Sequence, residues 1–319
     1  MIKMNKNLIL LTGILLLLAI TGCDKFGKKG QTPISEADLR KGTDGLKMEF
    51  LPNAPQESIF AESGFPISLK LKNAGASDIA GARIVFGFEK AYINIPQEIA
   101  LFGIKGKSIY APLGEEEFIT RNARAGAIGQ QSEKHPSTIF ATACYPYKTI
   151  LGASVCIDTD IIDERKGKVC AVKDLSFTEG QGAPVSVTKV ETRMLPQDNG
   201  KVKPHFLIHV KNAGNGEVID ADKVKSACTS EALSYRDFNA LVVKASLSGV
   251  PLKCSENKES EPVIVRLRDR EDLIRCTYER DGGINSGADA YIAPLKVELE
   301  YGYTFTESKN IIIEKVLTH

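Results

Sequence analysis

Apolar side chains at every second position constrain this chain more than any other feature it has. In FPISLKLKNAG, Ile67, Leu69 and Leu71 fall on one face of an extended segment and Ser68, Lys70 and Lys72 on the other. A strand buried on one side requires this period of two. The pattern returns in PHFLIHVKNAG, where Phe206, Ile208 and Val210 oppose His205, Leu207 and His209, and in APLKVELEYGYTF, where Leu295, Val297, Leu299, Tyr301 and Tyr303 oppose Lys296, Glu298 and Glu300. ARIVFGFEKAYINI, TIFATACYPYKT and ASVCID add short β-branched or aromatic runs between turn signals, with no helix-length apolar period among them. The chain is predicted to be all-β.

Two of these strands end in the same word. Lys72-Asn73-Ala74-Gly75 and Lys211-Asn212-Ala213-Gly214 lie 139 positions apart, each closing an alternating run. The repetition predicts equivalent early strands in two tandem β-sandwich domains. Asn73 and Gly75 are expected to turn the chain because both residue types tolerate positive backbone angles. TES at Thr306-Glu307-Ser308 is expected to turn the last long run into a closing strand, making a terminal hairpin, and CYPYKTILGASVC is expected to be a hairpin too.

At 319 residues the chain has length for two domains, and 43% hydrophobic with 25% charged residues is ordinary globular composition. The formal charge of +1 becomes −1 without Lys3 and Lys6, the charged side chains of residues 1–22. Nothing in that balance points to a nucleic-acid partner, which would need a basic stripe on one face.

Residues 1–22 read as an export signal. MIKMNKN carries two lysines, LILLTGILLLLAI is an apolar run too short to span a bilayer, and small residues follow. Ile20-Thr21-Gly22-Cys23 resembles the lipobox of prokaryotic lipoproteins. That resemblance implies cleavage after Gly22 and lipidation of Cys23. A diacylglyceryl group with a further acyl chain would anchor stably, which one acyl chain does not. Asp24 resembles the signal that retains some bacterial lipoproteins at the inner membrane.

Residues 23–44 are polar and read as a tether. Within them Ser35, Asp38 and Gly42 mark the cap, capping-box position and stop of a short helix. The first sandwich is expected over 45–160, a charged connector over 161–181 and the second sandwich over 182–319. In the second, DADKVKSAC and SYRDFNALVVK carry short helical insertions, with Ser234 and Asp237 as another capping-box pair. Over roughly 60–90 and 200–225 the pattern resembles the CARDB-type and NEW3-type immunoglobulin-like domains of bacterial and archaeal surface proteins, in which a strand ends in an Asn-x-Gly turn. That resemblance implies a surface lipoprotein built of tandem immunoglobulin-like sandwiches.

Seven cysteines less Cys23 leave six, an even number suited to an oxidising compartment. The absence of CxxC and CxxH pairs argues against zinc. Cys254 and Cys276 flank a loop of about twenty residues whose closure would contribute on the order of 3 kcal/mol. Cys156 has two candidate partners, Cys144 and Cys170. With Cys228 completing the set, three cysteines fall in each half, so full pairing requires a bridge between halves.

Chemistry-bearing residues are sparse. His205 and His209 stand about 13 Å apart on a strand, too far to share one ion unaided, and read as solvent-facing. Asp158, Asp160, Asp163 and Glu164 offer oxygen ligands but lack the EF-hand glycine and terminal glutamate spacing, and read as a solvated connector. Glu115, Glu116 and Glu117 read as an exposed turn entering a strand. No GxSxG, HExxH, Walker or dinucleotide fingerprint occurs. Gly180–Pro184 is glycine-rich but precedes a strand, not a helix. His135 and His319 read as loop and tail residues. Zero tryptophan weakens a carbohydrate-binding reading, and Tyr145 and Tyr147 read as packed against a neighbouring strand.

The sequence therefore predicts no enzyme, cofactor or metal site. It predicts a lipid-anchored protein at the outer face of the cytoplasmic membrane or the cell surface, with a structural, adhesive or recruiting role toward other envelope or surface proteins. The alternative is a ligand- or ion-binding accessory lipoprotein of a transporter, with a pocket between its domains.

Overall fold

Three sheets, antiparallel but for the pairing of Ser58–Phe60 with the end of the last strand, answer the alternation. The structure, a computed structural model, describes residues 35–229, 231–254 and 263–316. Ile20, Thr21, Gly22 and Cys23 lie outside the described residues, as does His319. With strands numbered in chain order, the first sheet runs β1 (Leu46–Phe50), β3 (Gly64–Asn73), β7 (Glu116–Ala125), β5 (Ile93–Asn94). The second runs β15 (Lys253–Cys254), β17 (Glu271–Thr277), β11 (Lys201–Asn212), β10 (Val185–Gln197), β9 (Leu175–Ser176), with β18 (Ile284–Asn285) also beside β11. The third runs β14 (Val250–Pro251), β13 (Ala240–Leu247), β19 (Tyr291–Glu314), β8 (Lys134–Ile157), β4 (Ile79–Gly87), β6 (Ile99–Ile104). β12 (Glu217–Ile219) and β2 (Ser58–Phe60) also pair with β19, and β16 (Val263–Arg266) with β13. The fold is an all-β sandwich.

The expected alternation holds in detail. Ile67, Leu69, Leu71, Phe206, Ile208, Val297, Leu299 and Tyr301 are fully buried. Each large side chain fully removed from water contributes about 1.5 to 3 kcal/mol, so slipping a strand by one residue would forfeit a whole row at once.

Two expected hairpins are absent. β8 and β19 are single strands of 24 residues, paired antiparallel from Lys134↔Glu314 to Ile157↔Tyr291. Thr306, Glu307 and Ser308 continue the ladder opposite Thr142, Ala141 and Phe140 instead of turning. Pro146 sits opposite Gly302 at mid-strand, and β4 reaches along β8 only as far as Cys144. A proline with a neighbour on one side only breaks no second ladder.

These two strands join the halves. The early part of β8 lies beside β4 in the first half, and its later part pairs with the stretch of β19 that also holds β13 in the second. β19 does the reverse, so each half borrows its outer partner strand from the other. Odd-numbered residues of both strands face the four- and six-stranded sheets, and one continuous core runs from Met48 through Tyr145 and Tyr301 to Ile274. Residues Glu36–His319 accordingly form one compact unit.

The helical insertions of the second half appear as a 3-10 turn at Ala221–Lys223, a helix α2 (Val224–Ala227) after the N-terminal α1 (Glu36–Leu39), and a 3-10 turn at Tyr235–Asp237. Ser234 and Asp237 make the expected reciprocal capping box. This segment interrupts the line of strand between β12 and β13 and packs on the outer face of the shared sheet. Ile219, Val224 and Cys228 gather there around Cys144. Gly302 is the floor beneath them, since a Cβ would stand 2.5 Å from Val224 Cγ2 and 2.7 Å from Ile219 Cγ1.

Three disulfides form: Cys144–Cys228, Cys156–Cys170 and Cys254–Cys276. Cys156 takes the second of its two candidate partners, since β8 holds Cys144 and Cys156 far apart along one strand. Cys144–Cys228 links the halves across 84 residues, and closing a loop that long restricts the unfolded chain by about 4.5 kcal/mol.

A tyrosine waist and an open strand edge

The repeated KNAG is a docking device for tyrosine. Asn73 Oδ1 accepts from Gly75 N at 3.2 Å, its Nδ2 donates to Ser77 O at 2.8 Å, and Tyr147 Oη donates to Oδ1 at 3.3 Å. In the second copy Asn212 Oδ1 accepts from Gly214 N at 3.2 Å, Nδ2 donates to Gly216 O at 3.0 Å, and Tyr303 Oη donates to Oδ1 at 3.2 Å. Neither Asn73 nor Gly75 adopts a positive φ, nor do Asn212 and Gly214. The asparagine ends the strand by folding its side chain onto the backbone ahead. The glycine is required by close approach. A Cβ on Gly75 would collide with Tyr147 Oη and stand 2.6 Å from Gly182 O, and one on Gly214 would collide with Tyr303 Oη.

Two further tyrosines complete the waist. Tyr145 Oη accepts from Leu46 N and Tyr301 Oη from Val185 N, both at 3.3 Å. Leu46 and Val185 are themselves 139 apart, and β1 and β10 pair with β3 and β11 in the same register: Leu46↔Asn73 and Met48↔Leu71 match Val185↔Asn212 and Val187↔Val210. The four rings contact one another edge-on or tilted, with Tyr145 and Tyr147 centroids 5.7 Å apart. Burial pushes the phenols of Tyr145, Tyr147 and Tyr301 well above their usual range and raises that of Tyr303 as well, so they act as neutral hydrogen-bonding groups.

The halves diverge at the free edge of this shared design. Gly45 O accepts from Ala74 N, and Leu51 N donates to Ser68 O, so odd-numbered residues of β1 face β3 and the backbone groups of Leu46 and Met48 face away. The matching groups of β10 are closed. Thr149 Oγ1 donates to Val185 O at 2.5 Å. The buried Gln181 amide then serves Val187 twice, donating to its O at 3.1 Å and accepting from its N at 2.8 Å. β9 pairs with Lys189 and Val190 just beyond.

In the first half, by the same relation that carries Tyr145 to Tyr301, Phe305 occupies the place of Thr149 and has no hydroxyl to give. Gly42 occupies the place of Gln181. Among the described residues the four-stranded sheet has no counterpart of β9. Among the described residues nothing pairs with Leu46 O or with the outward N–H and C=O of Met48. They open into a groove of about 480 Å³, floored by Tyr145, Tyr303 and Phe305, with Pro184, Gly214 and Gly216 along one side. Lys47, Lys70 and Lys72 stand with Asp44, Glu49 and Glu307 around it, a mixed rim of no net sign.

The remaining candidates are engaged elsewhere. Lys168 Nζ lies 2.9 Å from both Asp158 and Asp160 and 2.6 Å from Asp163, so an ammonium sits among the connector's carboxylates. Hydrogen bonds to Asp163 and Asp158 push the Lys168 pKa up, and backbone donation from Arg165, with Lys168 beside it, pulls Asp160 down. His205 Nδ1 pairs with Thr277 Oγ1 at 2.8 Å, and His209 Nε2 with Glu191 Oε1 at 3.0 Å. His135, expected in a loop, is the second residue of β8, 2.9 Å from Glu89 Oε2 and stacked on Tyr92. Glu116, at the start of β7, bonds Lys70 and Lys72. Among the described residues no group of three His, Cys, Asp or Glu side chains is placed to hold a metal ion.

The open edge has no sequence motif of its own. What could have exposed it is the comparison of β1 with β10: Gly42 against Gln181 and Phe305 against Thr149, read at the offsets of the repeat.

No family model matches this chain, and no curated protein matches it. Among solved structures it is similar to the secreted serine protease VesC from Vibrio cholerae at 9% identity and a TM-score of 0.20, over 81% of this chain and 50% of that one. This chain thus spans about half the length of that structure. A superposition that loose carries no argument about function.

Proposed function

We propose that the protein is a lipid-anchored, extracytoplasmic recruiting module without catalytic activity, and that it holds an extended segment of another envelope or surface protein along the free edge of β1. The observation that carries the reading is the contrast between the two edges: a glutamine amide, a threonine hydroxyl and a short strand close β10, and the matching groups of β1 are open. An incoming strand would give Met48 N–H and C=O the hydrogen bonds that Gln181 gives Val187. Main-chain pairing would supply affinity, and contacts with Phe305, Tyr303 and the mixed charged rim would select side chains.

The leader sequence supports export and anchoring at Cys23, and three disulfides suit an oxidising compartment. The transporter-accessory alternative looks to polar groups from the acidic connector, but those carboxylates surround Lys168 and do not line the groove.

A photo-crosslinking side chain at Glu307, which lines the groove, tests the reading in intact cells of the native host. The expected result is a small reproducible set of protein adducts, absent when the same group replaces the exposed Tyr235. Equal labelling at both positions, or none at Glu307, would sink it.

A further inference from the structure

We infer that the turn carrying Ile109 and Tyr110 is a second membrane contact, inserted into the interfacial layer of the bilayer that holds the lipidated chain. The inference rests on the anchoring reading and adds a protein surface to it.

The turn lies in the connection between β6 and β7. Ser108 and Ala111 exchange backbone hydrogen bonds at 3.1 Å in both directions, Ser108 Oγ accepts from Ala111 N at 3.1 Å, and Gly114 N donates to Ala111 O at 3.0 Å. Its base is pinned as well: Lys107 N donates to Gly75 O and Gly106 N to Asp78 Oδ1, both at 2.8 Å. This is a fixed projection. Turn tips ordinarily carry Gly, Asn, Asp or Ser. Here the tip is Ile109, 61% exposed, and Tyr110, 92% exposed, followed by Pro112 and by Leu113, 74% exposed. Three such side chains within five positions, held in water at that exposure, mark a surface made to be covered.

The position of the turn identifies what covers it. Lys107 Nζ donates to Lys41 O at 3.2 Å, so the base of the turn is held against the backbone just after α1, six residues from the first described residue. Twelve positions separate Cys23 from Ser35, a length that can reach at most about 40 Å. An acyl group at Cys23 would therefore hold Ser35 within about 40 Å of the bilayer, and the base of the turn is tied to that same end of the described chain. A tyrosine with an apolar ring and a polar tip, flanked by Ile and Leu, suits the headgroup layer. Lys105 and Lys107 on one side and Glu115 and Glu117 on the other leave little net charge, so contact should depend weakly on lipid charge.

Because the chain has no tryptophan, Tyr110→Trp creates a unique reporter. The full chain with its leader would be extracted from host membranes and reconstituted into phosphatidylethanolamine and phosphatidylglycerol vesicles carrying brominated acyl chains. The expected result is co-flotation with the vesicles and quenching of the Tyr110→Trp emission by about twofold or more, with Tyr235→Trp unaffected. Adding Ile109→Ser and Leu113→Ser should reduce that quenching. Flotation with Tyr110→Trp unquenched, or with both reporters quenched alike, would overturn the membrane turn and leave the anchor standing. Failure to float would remove the anchor and the turn together.

Discussion

The two halves use one plan and finish it differently. Both end a strand in KNAG, both fold the asparagine back onto its own loop, and both seat a tyrosine from a 24-residue strand on that asparagine. The second half then seals its outer strand with Gln181, Thr149 and β9. The first half leaves the matching strand open above Phe305. A shared scaffold carrying one sealed edge and one open edge teaches that the opening is local: it follows from two residue identities and one missing short strand, not from a weaker core.

The strongest challenge to this equivalence is at the two glycines. Gly75→Ala should destabilise by about 3 to 5 kcal/mol in urea titration, because the new Cβ meets backbone carbonyls of Gly182 and Asp44 as well as Tyr147. Gly214→Ala should cost less, since its neighbours, Tyr303 and Pro184, are side chains with some room to move. Equal and small effects would show that the tyrosine docking is incidental.

Alkaline titration probes the waist shared by both halves. The folded phenols titrate above the unfolded value of about 10, so the native state retains protons that the unfolded chain loses. The tyrosine contribution should be level below that pH, and stability should fall progressively above it. Tyr147→Phe should flatten the fall by one group. A curve that stays level above pH 10 in thermal melts would contradict the burial of the four rings.

Smaller effects address the edges themselves. Gln181→Ala leaves Val187 N–H and C=O unpaired and should cost about 1 to 3 kcal/mol, while opening in the second half an edge like that of β1. Phe305→Thr, copying Thr149, would trade the packing of Phe305 on the core and on the edge of Tyr145 for a bond to Leu46 O, so it should destabilise by about 1 to 2 kcal/mol and should reduce adducts at the groove.

Period-two alternation made the strands legible, with Ile67, Leu69 and Leu71 or Phe206, Ile208 and Val210 on their core faces as read. Strand length was not legible. Pro146, Gly152 and the polar Thr306-Glu307-Ser308 carry turn chemistry, and only the long ladder between β8 and β19 overrides it. The repeat was visible, but its purpose was misassigned to backbone angles because the partner of each asparagine, Tyr147 or Tyr303, lies 74 or 91 residues away. The Cys144–Cys228 pairing depended on the same distant packing. Of the groove, nothing was legible without aligning one half on the other.

The exchange of β8 and β19 also fixes the order in which the protein can mature. As the chain is synthesised, the first half arrives early and stays incomplete, because the strand that flanks Lys134–Cys144 is Thr304–Glu314, at least 160 positions later. A premature stop before residue 304 would therefore unmake the portion synthesised first, leaving a half-built sandwich with an unguarded ladder until Thr304–Glu314 had been delivered.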